Sequence, residues 1–398
     1  MNGTGPAPGS VSGALALAVA LAIAATASAQ SLRPFPPHVG IHVPVPPSPV
    51  ASGGNHYLLY ELLLKSYVPA PVQVTRVEVF AESPAGPRLL EYAGEELGAN
   101  MVFPVFIEDD PVRQRTIGAR SHGVVYVLVS ISRSATVPRQ LFHRVWFDLP
   151  YQEEWFATPS ADSTVVDRVD LATPVYSSAI EIGPPLKGGP WAAFAGLSND
   201  GDHRRIQTQV FGRSVFSQRY AVDYLLVDTE GRAVPVAGGG NDTYPGYGRE
   251  VIAVADGIVS TAVDGIPDNT PGVTTRPEVF NLTTVPGNHV MVDLGDGRYA
   301  AYAHLIPGSV EVRVGQRVRR GDVLGRVGNS GNSSAPHLHF QLADNNLPLG
   351  GEGLPYVHDA FELVGYCPEG RRGPCEMSEP ELRRHETPMQ NQLIRFPE

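Results

Sequence analysis

Ala335-Pro336-His337-Leu338-His339-Phe340 decides how this chain is read. Two histidines at i and i+2 on an extended strand project from the same face. That spacing lets both imidazoles meet one small site, where one binds a metal and the other faces a reacting water. A zinc site takes nitrogen or oxygen ligands at about 2.0–2.2 Å and, for catalysis, keeps one position open. Taken alone, the pair has a blander reading as two exposed strand histidines.

The surroundings narrow the choice. Val312-Arg313-Val314-Gly315-Gln316-Arg317-Val318-Arg319-Arg320-Gly321-Asp322 comes first, then Val323-Leu324-Gly325 and Gly328-Asn329-Ser330-Gly331-Asn332-Ser333. Two glycine-turn hairpins thus lead into the histidine strand. Upstream lie Tyr302-Ala303-His304-Leu305, Gly287-Asn288-His289-Val290-Met291-Val292-Asp293 and Val251-Ile252-Ala253-Val254-Ala255-Asp256-Gly257-Ile258-Val259. This ordered set resembles the lysostaphin/LytM-type zinc metallopeptidases of the duplicated-hybrid-motif fold. The resemblance implies a mostly antiparallel β domain over 201–365, with a groove along its sheet and zinc at the groove's floor. It also implies hydrolysis of peptide bonds in peptidoglycan. By the same resemblance His339 is a metal ligand. His337 orients or deprotonates the water, and His304 is the second catalytic histidine. Asp223, in Tyr220-Ala221-Val222-Asp223-Tyr224, is the carboxylate ligand of the first metal motif. Neutral histidines exchange protons with water and a leaving amine near neutral pH.

One position departs from the family. Its first motif reads His, three residues, then Asp, but four residues before Asp223 stands Arg219. A guanidinium has no lone pair for a metal. Three readings follow. Another histidine supplies the ligand, with His203 preferred and His289 the second candidate. Or zinc is held weakly by Asp223 and His339 with waters. Or the domain is a metal-free, degenerate member that binds the wall or activates a hydrolase. Arg219 itself either pairs bidentately with Asp223 or receives a substrate carboxylate. Asp264 to Pro286 is a second departure: it is far longer than the usual hairpin loop of about 2–5 residues, and is expected to wall the groove.

The rest of the chain fits an exported protein. Ala14 to Ala25 has the length of a signal h-region, and Ala27-Ser28-Ala29 offers small residues for cleavage, so 1–29 reads as a signal peptide. No Lys or Arg precedes that run. It is short for a bilayer span of about 20 residues, and no stable span is expected after its removal. Cys367 and Cys375 are the only cysteines; in an oxidising compartment they are expected to close a small loop. The formal net charge of −11 argues against nucleic acid as a partner.

With 42 glycines and 37 prolines, the chain reads as short strands and frequent turns. Residues 30–56 are proline-rich, with seven prolines between Arg33 and Pro49, and read as an unpaired extended segment. Over 57–150, Leu58, Tyr60, Leu62 and Leu64 alternate, and Val72, Val74, Val77, Val79 and the runs Val124 to Ile131 and Leu141 to Phe147 follow. These strand-length segments predict a β-sandwich, with Leu89 to Leu97 a short helix or a further strand. Residues 151–200 read as a connector, and 366–398 as a polar, poorly ordered tail carrying the cysteine loop. The whole is thus expected to be mainly β: an N-terminal sandwich, then a lysostaphin-type domain that binds Zn²⁺ and cleaves peptidoglycan peptides outside the cytoplasm. Oligomeric state is not legible.

Overall fold

The computed structural model describes residues 39–102, 115–150, 164–176, 179–210, 212–235, 239–273 and 281–398. The expected signal peptide lies outside them. No helix of the described residues is long and apolar enough to cross a membrane.

Two five-stranded sheets form the N-terminal sandwich. One runs Val39–His42, Asn55–Ser66, His122–Ser132 and Met101–Val102, with Pro49–Ser52 also paired to Asn55–Ser66. The other runs Thr164–Pro174, Gln140–Pro150, Val72–Ala81 and Arg88–Ala93, with Thr116–Ile117 on the third of these. The alternation predicted from sequence drives the packing: Leu58, Tyr60, Leu62 and Leu64 meet Val72, Val77, Val79, Val125, Val127 and Val145 in one core. Successive side chains of a strand leave on opposite faces, yet the second face of Asn55–Ser66 is buried too. Leu59 joins the core of the following domain, Glu61 has no exposed surface, and Leu63 packs towards Phe216. This strand is therefore shared between the sandwich and the domain that follows it.

Three stretches differ from expectation. Within the proline-rich segment, Val39–His42 and Pro49–Ser52 are ladder-paired to Asn55–Ser66, because prolines there sit outside or at the start of strands, where a missing N–H is tolerated. The connector supplies Thr164–Pro174 to the sandwich, and Ile180–Ile182 and Trp191–Phe194 to the next sheet. The tail contributes Glu376–Glu386, a charged and exposed edge strand, and Gln392–Arg395, which inserts between Trp191–Phe194 and Tyr356–Tyr366. An edge strand with charged side chains resists unwanted pairing, and it has no apolar signature to read. Arg88–Ala93 is a strand and Gly94–Ala99 a helix, so both expected elements occur in succession.

The second domain is built on a twelve-stranded sheet. Its order is Ile180–Ile182, Tyr356–Tyr366, Gln392–Arg395, Trp191–Phe194, Val222–Leu226, Leu338–Ala343, Arg298–Leu305, Asn288–Gly295, Gly257–Val263 and Arg317–Val318, with Gly353–Leu354 and Glu376–Glu386 beside this path. All pairings but the first are antiparallel. On the central strands one face is core: Val222, Tyr224, Ala300, Tyr302, Leu338, Phe340 and Leu342 are buried together. By period two, Asp223, Ala301, Ala303, His337, His339 and Gln341 face the other way, into a groove.

Candidate metal centre

The groove floor holds a cavity of about 380 Å³ lined by His203, Asp223, His304, His337, His339, Gln341 and Arg371, among others. Sheet register makes the site. Asp223 is the cross-strand partner of both Phe194 and His339, and His339 is in turn opposite Ala303. The alanines at 301 and 303 leave room above the sheet for the imidazoles.

Five side chains meet there. His203 Nε2 lies 3.4 Å from Asp223 Oδ1, His337 Nε2 3.3 Å and His339 Nδ1 3.0 Å. The His304 ring lies 4.8 Å from that of His337 and 5.8 Å from that of His339, centroid to centroid. Asp223, His304, His337 and His339 are buried, and His203 is half-buried. His203, Asp223 and His339 each place one ligand atom within 4.8 Å of the others'. His289 is not in this group: it is buried on Asn288–Gly295, and its Nδ1 donates to the Gly287 carbonyl 2.8 Å away. The structure thus brings together Asp223, His203, His304, His337 and His339, and leaves out His289.

Backbone carbonyls fix which ring nitrogen is free, since a carbonyl only accepts. His203 Nδ1–H donates to Ala195 O at 3.2 Å, His304 Nδ1–H to Ser330 O at 2.8 Å and His337 Nδ1–H to Ala335 O at 2.8 Å. Each then turns an unprotonated Nε2 towards the cavity. His339 is oriented the other way round. Gln341 Nε2 donates to Pro348 O at 2.7 Å, which leaves Gln341 Oε1 to accept from His339 Nε2–H at 2.9 Å. The lone pair of His339 therefore sits on Nδ1, facing Asp223. Arg371 donates to Asp223 Oδ2, leaving Oδ1 for the cavity. His203 Nε2, His339 Nδ1 and Asp223 Oδ1 converge within 4.8 Å of one another, with His339 Nδ1 3.0 Å from Asp223 Oδ1. Two imidazole nitrogens and a carboxylate oxygen at this spacing are a donor set that fits a zinc ion.

The electrostatics agree. Burial opposes ionisation of Asp223, but the neighbouring His337 and His203 imidazoles hold its carboxyl well below the usual range. Burial brings the His203 pKa down to about 4, and burial with the nearby His337 and His339 pushes His304 well below its ordinary value. Both imidazoles are neutral near pH 7. His304 ends its strand with φ 64°, a left-handed conformation that costs about 1–3 kcal/mol and clusters at functional sites. It is held there by its N–H on Pro286 O at 2.9 Å and its carbonyl under Gly328 N at 3.1 Å. Val285 and Pro286, from the long Asp264–Pro286 insertion, border the cavity.

Arg219 corrects the sequence reading in both of its forms. It neither pairs with Asp223 nor faces the groove. It is buried, with Nε 3.0 Å from both Glu61 oxygens and Nη2 2.6 Å from Glu61 Oε2 and 2.8 Å from Glu352 Oε2. The physical reason is charge: a fully buried guanidinium needs carboxylates, and two wait on the side away from the metal ligands. Gln341 and Arg371 were missed. Gln341 had a signal, being the third member of the i, i+2, i+4 face of His337 and His339. Arg371 had none, because it arrives on the loop closed by the Cys367–Cys375 disulfide.

Comparison with known proteins finds relatives along part of the chain. Residues 238–350 match the model of peptidase family M23. Peptidoglycan DD-endopeptidase ShyA of Vibrio cholerae is 33% identical over 87 residues, 21% of this chain and 20% of its own. Cell division protein DipM of Caulobacter vibrioides is 35% identical over 95 residues, 24% of this chain and 12% of its own. The chain thus spans about a fifth or less of the length of these curated relatives. The catalytic domain of lysostaphin from Staphylococcus simulans is a structural neighbour at 22% identity, covering 37% of this chain and 80% of its own, with a TM-score of 0.22. The family match begins beyond Asp223, so the segment that carries Arg219 lies outside it.

Proposed function

The chain carries a lysostaphin/LytM-type domain of peptidase family M23, and we propose that it is an exported zinc-dependent endopeptidase acting on the peptides of peptidoglycan. The observation that carries the proposal is the convergence of His203, Asp223 and His339, with one ligand atom of each within 4.8 Å of the others', beside two further histidines lining the same cavity. When bound, zinc polarises a peptide carbonyl and lowers the pKa of its water towards about 7.

The protein's own groups do the rest. Asp223, anchored through Oδ2 by Arg371, presents Oδ1, while Gln341 and the Ala195 carbonyl hold the rings of His339 and His203 in place. His337 and His304 share the water's position: a neutral Nε2 takes the proton as hydroxide adds to the carbonyl carbon. The imidazolium so formed then gives that proton to the departing amine nitrogen. The sheet floor of small alanines admits an extended peptide along the groove. Export is supported by the apolar run Ala14 to Ala25 and by the disulfide, which fits an oxidising compartment. The metal-free alternative drew on Arg219 standing beside Asp223, and Arg219 instead bonds Glu61 and Glu352.

The test is digestion of purified peptidoglycan by the zinc-loaded chain, followed by detection of new amino termini. His304→Gln and His337→Gln are expected to keep zinc and to release such termini about 10²–10⁴-fold more slowly. Unchanged release in both variants would contradict the proposal.

A further inference from the structure

His203 occupies a weak piece of backbone. It begins a single 3₁₀ turn, His203–Arg205, with no side-chain cap and two internal bonds of 3.2 Å. A turn of this size does not hold a ligand rigidly by itself, because its own hydrogen bonds are few and poorly aligned. Within its own domain it is tied by His203 Nδ1 to Ala195 O and by Arg205 Nε to Asn199 O; its other anchors lie in the sandwich. Arg204 donates to Glu61 Oε1 and, at 2.8 Å, to Tyr60 O, and its guanidinium lies 4.8 Å over the Tyr126 ring. Arg205 donates to Ala99 O at 3.0 Å and its guanidinium lies 4.6 Å from the centroid of the same Tyr126 ring, while Tyr126 Oη donates to Arg205 O at 3.3 Å. Tyr60, Glu61, Ala99 and Tyr126 all belong to the sandwich.

Glu61 is the centre of this arrangement. It has no exposed surface and bonds both Arg204 and Arg219, and Arg219 continues to Glu352. Two carboxylates and two guanidiniums balance. Burial works against ionisation of Glu61, and the two arginines nevertheless hold its pKa below the ordinary value. The position at which the family pattern has a metal-binding histidine has thus become one arm of an ion network, and the other arm ends one residue from the histidine that points at Asp223.

Resting on the metal centre proposed above, we infer that the sandwich is a structural part of that centre: Glu61, through Arg204, positions His203 as the third ligand. Glu61 and Arg204 are positioning residues. The N-terminal domain is then no detachable docking module, since separating it removes the support of a ligand. Asp223 and His339 need no such help, being fixed in adjacent ladder-paired strands.

Arg204→Met and Arg219→Met separate this from a merely structural network, in the full chain. Each removes one arginine from the same buried carboxylate, so both lower the melting temperature of the metal-free protein. Only Arg204 is tied to His203. Zinc affinity, measured by chelator competition, is expected to fall about 10–100-fold in Arg204→Met and to stay within about threefold of the unmutated chain in Arg219→Met. Equal weakening in the two, following the loss of melting temperature, would overturn the inference. If Arg204→Met does not fold, Arg204→Lys carries the same comparison, because it keeps the charge and loses the fork that spans Glu61 and Tyr60 O. His203→Ala runs alongside: unchanged zinc affinity there would sink the ligand assignment itself, a failure distinct from weakening in His203→Ala with none in the Arg204 variants.

Discussion

His203 Nε2 stands 3.4 Å from Asp223 Oδ1, and the His203 ring meets that of His339 edge-on at 4.6 Å between centroids. A histidine from a separate turn thus stands beside Asp223 and His339, while Arg219, four residues before Asp223, points elsewhere. The obvious repair from sequence, Arg219→His, is therefore expected to fail. In a His203→Ala background it should restore no zinc, because position 219 points at Glu61 and Glu352. It should also cost about 3–5 kcal/mol of stability in urea unfolding, by leaving Glu61 with a single cationic partner in a buried site. Restored stoichiometric zinc would show that position 219 can still face the ligands.

Gln341 decides which nitrogen of His339 is free. Gln341→Leu removes the acceptor for Nε2–H and is expected to weaken zinc binding about 10–100-fold. Gln341→Glu, which still accepts at that position, should bind within a few-fold of the unmutated chain by the same chelator competition. An unaffected Gln341→Leu would mean that the sheet alone orients the ring.

Two histidines far from the metal centre set the acid limit of the fold. His143 donates from Nδ1 to Leu171 O and accepts from Tyr60 Oη at 2.8 Å, and His358 is held likewise by Gly183 O and Tyr224 Oη. Burial lowers both pKa values to about 4. The unfolded chain, with ordinary histidines near 6.5, binds more protons than the folded one between pH 6.5 and 4. Stability is therefore complete above pH 6.5 and falls as pH drops through that window, by about 3 kcal/mol per histidine. Urea unfolding at a series of pH values reads the slope, and His143→Phe should make it shallower. A slope unchanged by that variant would remove His143 as a cause.

The disulfide acts on a short loop. Cys367 and Cys375 are eight residues apart, and closing so small a ring in the unfolded chain is worth about 2–3 kcal/mol. A Cys367→Ser, Cys375→Ser double variant should lose about that much in denaturant unfolding. A loss near zero would show that the surrounding ladder already fixes the loop.

The parts of this molecule that were legible in the sequence are those encoded locally. The alternation of Leu58, Tyr60, Leu62 and Leu64, and the His337–His339 spacing, announce strands and a shared face without reference to anything distant. The missed parts are long-range. Glu376–Glu386 reads as a loose tail because an exposed edge strand needs no apolar residues. Glu61 carries no local signal, since Arg204 and Arg219 reach it from more than 140 residues away. His203 is preferred to His289 in the sequence, but its place beside Asp223 is set by distant contacts, and Arg371 reaches Asp223 only through a loop closed after the last core motif. Period and spacing report faces; they do not report which faces meet.

The central claim is that His203, Asp223 and His339 hold one zinc ion. The most direct measurement is metal content: the full chain is stripped, reloaded with zinc, freed of excess and counted by native mass spectrometry, with His203→Ala and His339→Ala beside it. One zinc per chain, lost in both variants, is the predicted result. No zinc in the unmutated chain, or one zinc retained in His203→Ala, would contradict the account.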